Sequence, residues 1–217
     1  MVIVQSSWTS TVSYQLVAGE LCLDFINTLD NRPRLELVIE LLETYDDLLQ
    51  WSVEAGALPS FPARALRLEA QREPVSANAA LKNAIRLREC LYRIFTQIAR
   101  GKPTSPTDLA ALDTFRVAAQ GRLQLIARTN GFRLEWRDKP VRLEAPLWRV
   151  ARSATDLLTS PDLQLVRECE DNACRWLFVD RSRNHSRRWC DMKVCGNRIK
   201  ARTFYRQHKK TASEASR

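Results

Sequence analysis

Four cysteines constrain this chain more than any other feature: Cys169-x4-Cys174, then fifteen residues, then Cys190-x4-Cys195. Structural zinc takes four ligands tetrahedrally with Zn–S near ~2.3 Å, and each short Cys loop can wrap two sulfurs round one ion. Two pairs of equal spacing therefore read as one four-thiolate site. Disulfides and redox-active thiols are the competing readings. Against them, the first residues lack the basic stretch followed by an apolar run that marks export. Cys22 and Cys90 also sit in apolar or periodic stretches, as buried reduced thiols do. In a reducing compartment the spacing points to metal. The expectation is one structural Zn²⁺ held by Cys169, Cys174, Cys190 and Cys195, in a cytoplasmic protein.

The 217 residues, 45 % of them hydrophobic, suffice for one medium domain and a small one. No apolar run approaches the ~20 residues of a membrane span, so no membrane partner is expected. The net charge of +9 is uneven: fourteen Lys and Arg against six Asp and Glu from Arg167 onward leave +8 there. Four thiolates on one Zn²⁺ reduce that to about +6. Such a concentration is the footprint of a protein that meets a polyanion. The plainer alternative is a solvated basic tail.

Apolar periodicity places helices in the first 160 residues. Residues 19–31 are largely apolar and carry Asp24 and Asn27, three apart, on one helical face. Residues 35–56 follow helical spacing, with Thr44 and Asp47 able to cap a second helix after a break. Further helices are expected within 62–72, from Ser76 to near Gly101, from Ser105-Pro106 to about Gly121, and from about Leu147 to Ser160. Asn130-Gly131 between two apolar runs signals a β-hairpin, and residues 141–143 could add a third short strand. The fold class is thus mainly α with a small β-hairpin element: a helical N-terminal domain, residues 1–160, and a C-terminal treble-clef-like zinc finger, residues 161–217.

Within the finger, residues 163–166 and 176–179 read as short strands bracketing the first cysteine pair, and a helix follows Cys195 to about His208. On that helix Arg198, Arg202, Arg206, Lys209 and Lys210 share about a third of the circumference. Ala201, Phe204, Tyr205 and His208 gather elsewhere, so the aromatic face is expected on the zinc core and the basic face on phosphates. Arg181, Arg183, Arg187 and Arg188 add a basic loop. The nucleic-acid candidates are Arg187, Arg188, Arg198, Lys200, Arg202, Arg206, Lys209 and Lys210. Phosphate contacts from these residues would give affinity rather than sequence choice. His185 near Asp180 and Asn184 invites a nuclease reading, but one histidine without a second or an acidic cluster supports it thinly. His208 could replace one cysteine as a ligand. No nucleotide-binding glycine loop, nucleophile elbow or paired-carboxylate motif is present, so no enzyme is expected.

The run Cys169-Glu-Asp-Asn-Ala-Cys174-Arg-Trp-Leu-Phe-Val-Asp180-Arg-Ser-Arg-Asn184, continuing through Arg188-Trp189-Cys190 to Cys195-Gly196-Asn197-Arg198, resembles the bacterial CGNR zinc-finger family. Leu21-Cys-Leu-Asp24-Phe-Ile-Asn27-Thr28, with Arg152-Ser-Ala-Thr-Asp-Leu-Leu158, resembles the ABATE domain that precedes such fingers. The resemblance implies a stress-linked transcriptional regulator with a sensing domain and a DNA-binding finger. It supports the four cysteines as ligands and implies that Asp180, Ser182, Asn184, Arg188, Trp189, Asn197 and Arg198 belong to the family pattern, several of them as braces. DNA is the expected partner, and a small-molecule effector or a protein partner are further candidates. Asp24 and Asn27 are the candidate ligand-pocket residues, the alternative being that they satisfy buried backbone groups. A zinc-stabilised protein-interaction or RNA-binding module without direct DNA readout is the second reading.

Overall fold

A computed structural model describes residues 13–137 and 141–214, with side chains left undescribed at 206, 207 and 209–214. Of residues 1–18, whose mixed polarity predicts a loop or short strand, 1–12 lie outside it. The chain runs α1 (Leu21–Ile26), β1 (Leu29–Asp30), β2 (Ile39–Glu40), α2 (Tyr45–Glu54), α3 (Ser60–Arg72), α4 (Pro74–Ala99), α5 (Pro106–Gln120) and β3 (Leu123–Arg128). It continues through β4 (Gly131–Trp136), α6 (Ala145–Leu158), β5 (Val166–Glu168), β6 (Leu177–Val179) and α7 (Asn197–Glu214). The strands form three two-stranded antiparallel ladders, β1–β2, β3–β4 and β5–β6. The protein is mainly helical, as the apolar periodicity requires.

α4 is the central element. Its stripe Ala84, Leu87, Leu91, Ile94 and Phe95 is buried against α1, α2, α5 and α6. Phe25 of α1 meets Trp51 of α2 with ring centroids 5.0 Å apart. Each such buried side chain contributes about 1.5–3 kcal/mol of transfer free energy. The same apolar core runs without a break into Leu177, Phe178 and Val179 and on to the four cysteines, so the finger is packed onto the helices.

Of residues 35–56, the part before the expected break is not helical, whereas the second helix forms. A 3₁₀ turn at Leu35–Leu37 and strand β2 occupy the first part, leaving Leu35, Leu37, Val38 and Ile39 exposed. The cause is Glu40: its carboxylate accepts from Leu42 N at 2.8 Å and pairs with the buried Arg88 of α4 at 2.6 Å. That ion pair holds the chain extended. The helix then starts where Thr44 and Asp47 form a capping box.

The hairpin forms between the expected runs, with Arg128 opposite Gly131. Thr129 and Asn130 are therefore the turn residues, and Gly131 opens β4 at φ 127°. Residues 141–143 form no strand. Leu143 lies in the turn before α6, buried, its carbonyl accepting from the Tyr45 hydroxyl at 2.8 Å. No helix among the described residues is long and apolar enough to cross a membrane.

Candidate metal centre

The first cysteine pair sits in the loop that joins β5 to β6. Cys169 follows β5 directly and its N–H donates to Trp176 O at 2.8 Å, extending the ladder by one rung. The loop then turns sharply: Cys174 N donates to Asp171 O at 2.8 Å, Ala173 N to the Asp171 carboxylate at 3.0 Å, and Arg175 takes φ 61°. The second pair lies on another segment, tied to the first by Glu170 N donating to Arg188 O at 3.0 Å. Cys195 falls in a wide turn, Met192–Gly196, capped by the Asp191 carboxylate and leading into α7.

All four sulfurs lie within 4.8 Å of one another and all four residues are buried. Cys174 and Cys190 are 3.5 Å apart at sulfur, and Cys190 and Cys195 3.6 Å. A tetrahedron with Zn–S of about 2.3 Å has S···S edges of about 3.8 Å, so the cage fits zinc. The chemistry of the cage also calls for a cation. Hydrogen bonds among the crowded thiols, that from Cys174 foremost, pull Cys169 toward ionisation and push Cys174 away from it. Four thiolates at this spacing require a dication between them. The site is a structural zinc site for one ion. Cys22 and Cys90 are separate and buried, and burial pushes the Cys22 thiol up to about 12.

The residues after Cys195 each serve the site. A Cβ on Gly196 would collide with the Met192 sulfur and meet the Trp189 ring at 3.5 Å. Asn197 donates its amide to Lys193 O at 3.0 Å, fastening the wide turn to the start of α7. Arg198 donates to the Asp171 carboxylate and, at 3.1 Å, to Cys195 Sγ. Arg202 reaches the other Asp171 oxygen at 3.2 Å. Asp171 is fully buried, so these guanidiniums neutralise a carboxylate between the knuckle and the helix.

The facing of α7 is therefore the reverse of the sequence expectation. Arg198 and Arg202 point at the knuckle, while Phe204 is 56 % and Tyr205 73 % exposed. An unpaired buried carboxylate costs several kcal/mol, more than the ~1.5–3 kcal/mol gained by burying one aromatic ring. Arg187 is half-buried, its guanidinium 4.4 Å from the Phe178 ring centroid and donating to Trp189 O at 2.9 Å and Val17 O at 3.1 Å. Arg188 is exposed and donates to Glu170 at 2.7 Å. Lys200 is exposed. The side chains of Arg206, Lys209 and Lys210 lie outside the described part of α7.

The loop between the cysteine pairs closes on Asp180, which accepts from Ser182 N at 3.0 Å, Ser182 Oγ at 2.6 Å and Arg187 N at 2.8 Å. The His185 ring lies 3.0 Å from Asp180 O through Nδ1, a contact to backbone. His208 packs on Phe204 at 3.9 Å between ring centroids, away from the sulfurs' cage.

Asp24 and Asn27 are placed at the seam between helices and finger. Asn27 donates to Leu177 O at 2.9 Å and accepts from Leu177 N at 3.1 Å. Asp24 accepts from Ala18 N at 3.0 Å, and Ala18 O in turn accepts from Val179 N at 2.8 Å. Burial raises the Asp24 pKa to about 6. The seam also contains Arg181, which donates to Gly19 O at 2.8 Å and pairs with Asp162 at 2.7 Å and with Glu20. Sequence reading did not single out Arg181 as a seam residue, nor Asp171. Asp171 stands beside Glu170 inside the knuckle, and nothing in the sequence sets one carboxylate apart from the other.

Comparison with protein families accounts for most of the chain. Residues 166–208 match the CGNR zinc finger. Residues 19–161 match the ABATE model, described as "Putative stress-induced transcription regulator". A comparison with curated proteins finds no match. Both matched families are of regulatory or zinc-finger type. With a match over well more than half its length, a cage of four sulfurs and the Cys195-Gly196-Asn197-Arg198 run bracing it, the chain belongs to the ABATE family and carries a CGNR zinc finger.

Proposed function

We propose that this protein is a transcriptional regulator that binds DNA through the finger, with the helical domain sensing a signal. The observation that carries the reading is the distribution of charge. Nearly all of the excess positive charge lies from Arg167 onward. Several of those cations are internal braces, but Arg183, Lys193 and Lys200 are exposed and make no ion pair among the described residues. Arg183, Lys193, Lys200 and the distal basic residues of α7 are the groups we assign to phosphate.

The test is fluorescence anisotropy of the full-length, zinc-loaded protein with duplex DNA across a salt series. Binding should weaken with a slope of about −0.9 per phosphate neutralised. Replacing Lys193, Lys200 or Arg183 by Ala should each reduce that slope by about one. No binding at low salt would overturn the reading.

A second reading is favoured by one observation: Met192, Val194, Phe204 and Tyr205 are all exposed around the wide turn and α7. Such a surface suits a protein partner or unpaired bases stacked on aromatic rings. Single-stranded RNA bound more tightly than duplex DNA, with affinity lost on Phe204→Ala, would establish it instead.

A further inference from the structure

The helical domain contains a slot unconnected with the zinc centre or with Asp24 and Asn27. It lies between α3, the end of β4 and the start of α6, and its cavity measures about 120 Å³. Leu58, Leu66, Trp136 and Trp148 provide apolar walls, the two indoles stacked at 6.3 Å and 23°. The polar part of the lining is of one sign. Arg137, Arg142 and Arg149 border the slot, and among the described residues no acidic side chain does. Arg149 sits over the Trp136 ring at 5.4 Å. Arg137 and Arg142 are exposed and make no ion pair with any described residue. Glu144 borders an adjoining cleft with Thr114 and Phe115, and Arg142 and Trp148 line both that cleft and the slot. Phe61 stands at the slot 84 % exposed.

We propose that this slot binds a small organic monocarboxylate with a flat apolar body, and that such a ligand is the signal sensed by the helical domain. At about 120 Å³ the slot is somewhat smaller than the apolar cavity of about 150 Å³ that takes up benzene, so it encloses part of one flat ring and leaves the carboxylate at the border. Indole walls suit a planar ring. Guanidiniums at the border hold a carboxylate by charge-assisted, bidentate hydrogen bonds. The position suits a sensor, because Trp148 and Arg149 belong to α6. On that helix the Ser153 hydroxyl also accepts a hydrogen bond from Cys22 N of α1 at 3.1 Å, and Asn27, at the C-terminal cap of α1, holds the finger. The site stands without the DNA reading; its role as a sensor rests on that reading.

The experiment uses the full-length zinc-loaded protein, with benzoate as probe and benzamide and benzylamine as controls, titrated calorimetrically. Benzoate should bind, benzamide about tenfold more weakly, and protonated benzylamine not at all. Arg137→Gln and Arg142→Gln should each weaken benzoate about tenfold with an unchanged melting temperature, and Ala65→Phe should block it. Absence of benzoate binding, or binding indifferent to both arginine replacements, would overturn the site whatever Ala65→Phe does to folding. DNA anisotropy repeated with saturating benzoate reads the sensing role separately. A changed affinity supports it, and an unchanged affinity in a protein that does bind benzoate overturns the sensing role alone.

Discussion

Asn27, at the C-terminal cap of α1, and Leu177 on β6 exchange two hydrogen bonds across 150 residues of sequence, the Asn27 amide donating to Leu177 O and accepting from Leu177 N. A side-chain amide thus substitutes for a neighbouring strand at the edge of the β5–β6 ladder, and it does so with Asn27 only 3 % exposed. The helical domain satisfies backbone groups that the two-stranded knuckle could not satisfy by itself.

Replacing Asn27 by Ala strands both backbone groups of Leu177. Each unsatisfied buried group costs about 1–3 kcal/mol, so Asn27→Ala should lower unfolding free energy by roughly 2–6 kcal/mol. Denaturant unfolding followed by circular dichroism, with zinc saturating, measures it. A loss below about 0.5 kcal/mol would show the seam to be dispensable.

Arg198 bonds both a zinc-site sulfur and the buried Asp171, so it should act on metal retention before it acts on nucleic acid. Arg198→Ala is expected to weaken zinc affinity about 10–100-fold, the usual effect of removing a partner just outside the ligand shell. Lys200→Ala should leave zinc affinity unchanged. Competition against a chromophoric chelator reads both. Metal analysis should give about one equivalent per chain, lost in Cys190→Ser together with the folded finger.

Burial raises the Asp24 carboxyl to about 6, above its ordinary value of 3.8. Below 3.8 the group is protonated in folded and unfolded chains alike. As pH rises toward 6 the unfolded chain releases its proton first, so stability falls across that window. Asp24→Asn keeps an oxygen for Ala18 N and removes the charge. The variant should therefore be more stable than the parent by about 1–3 kcal/mol at pH 7, with the difference shrinking toward pH 5. Equal pH profiles for the two proteins would refute this.

Arg88 is 1 % exposed and bonds Glu40, Glu89 and the Thr28 hydroxyl at once. Arg88→Leu leaves the partly exposed carboxylate of Glu40 without its cation, a change that costs about 1–3 kcal/mol. It should also release residues 35–43, detected as faster amide hydrogen exchange in β1 and β2.

Much of this was legible in the linear chain because it depends on neighbours in sequence. The zinc ligands follow from two four-residue spacings. Helix starts follow from Thr44 with Asp47 and from Pro106, and the hairpin from alternating apolar runs. Residues 35–44 misled for the same reason: their apolar spacing is helical, while the partner that overrides it, Arg88, lies 48 residues from Glu40.

What the sequence determined by itself was therefore the metal, its four ligands, the helical class and the charge asymmetry, all fixed by short-range spacing or by composition. Only the tertiary structure decided which face of α7 turns inward, that Asn27 binds the finger's backbone, and where an arginine-bordered slot opens. Those outcomes rest on buried charges and backbone groups that must find partners. The partners, Asp171 for Arg198 and Leu177 for Asn27, are 27 and 150 residues away.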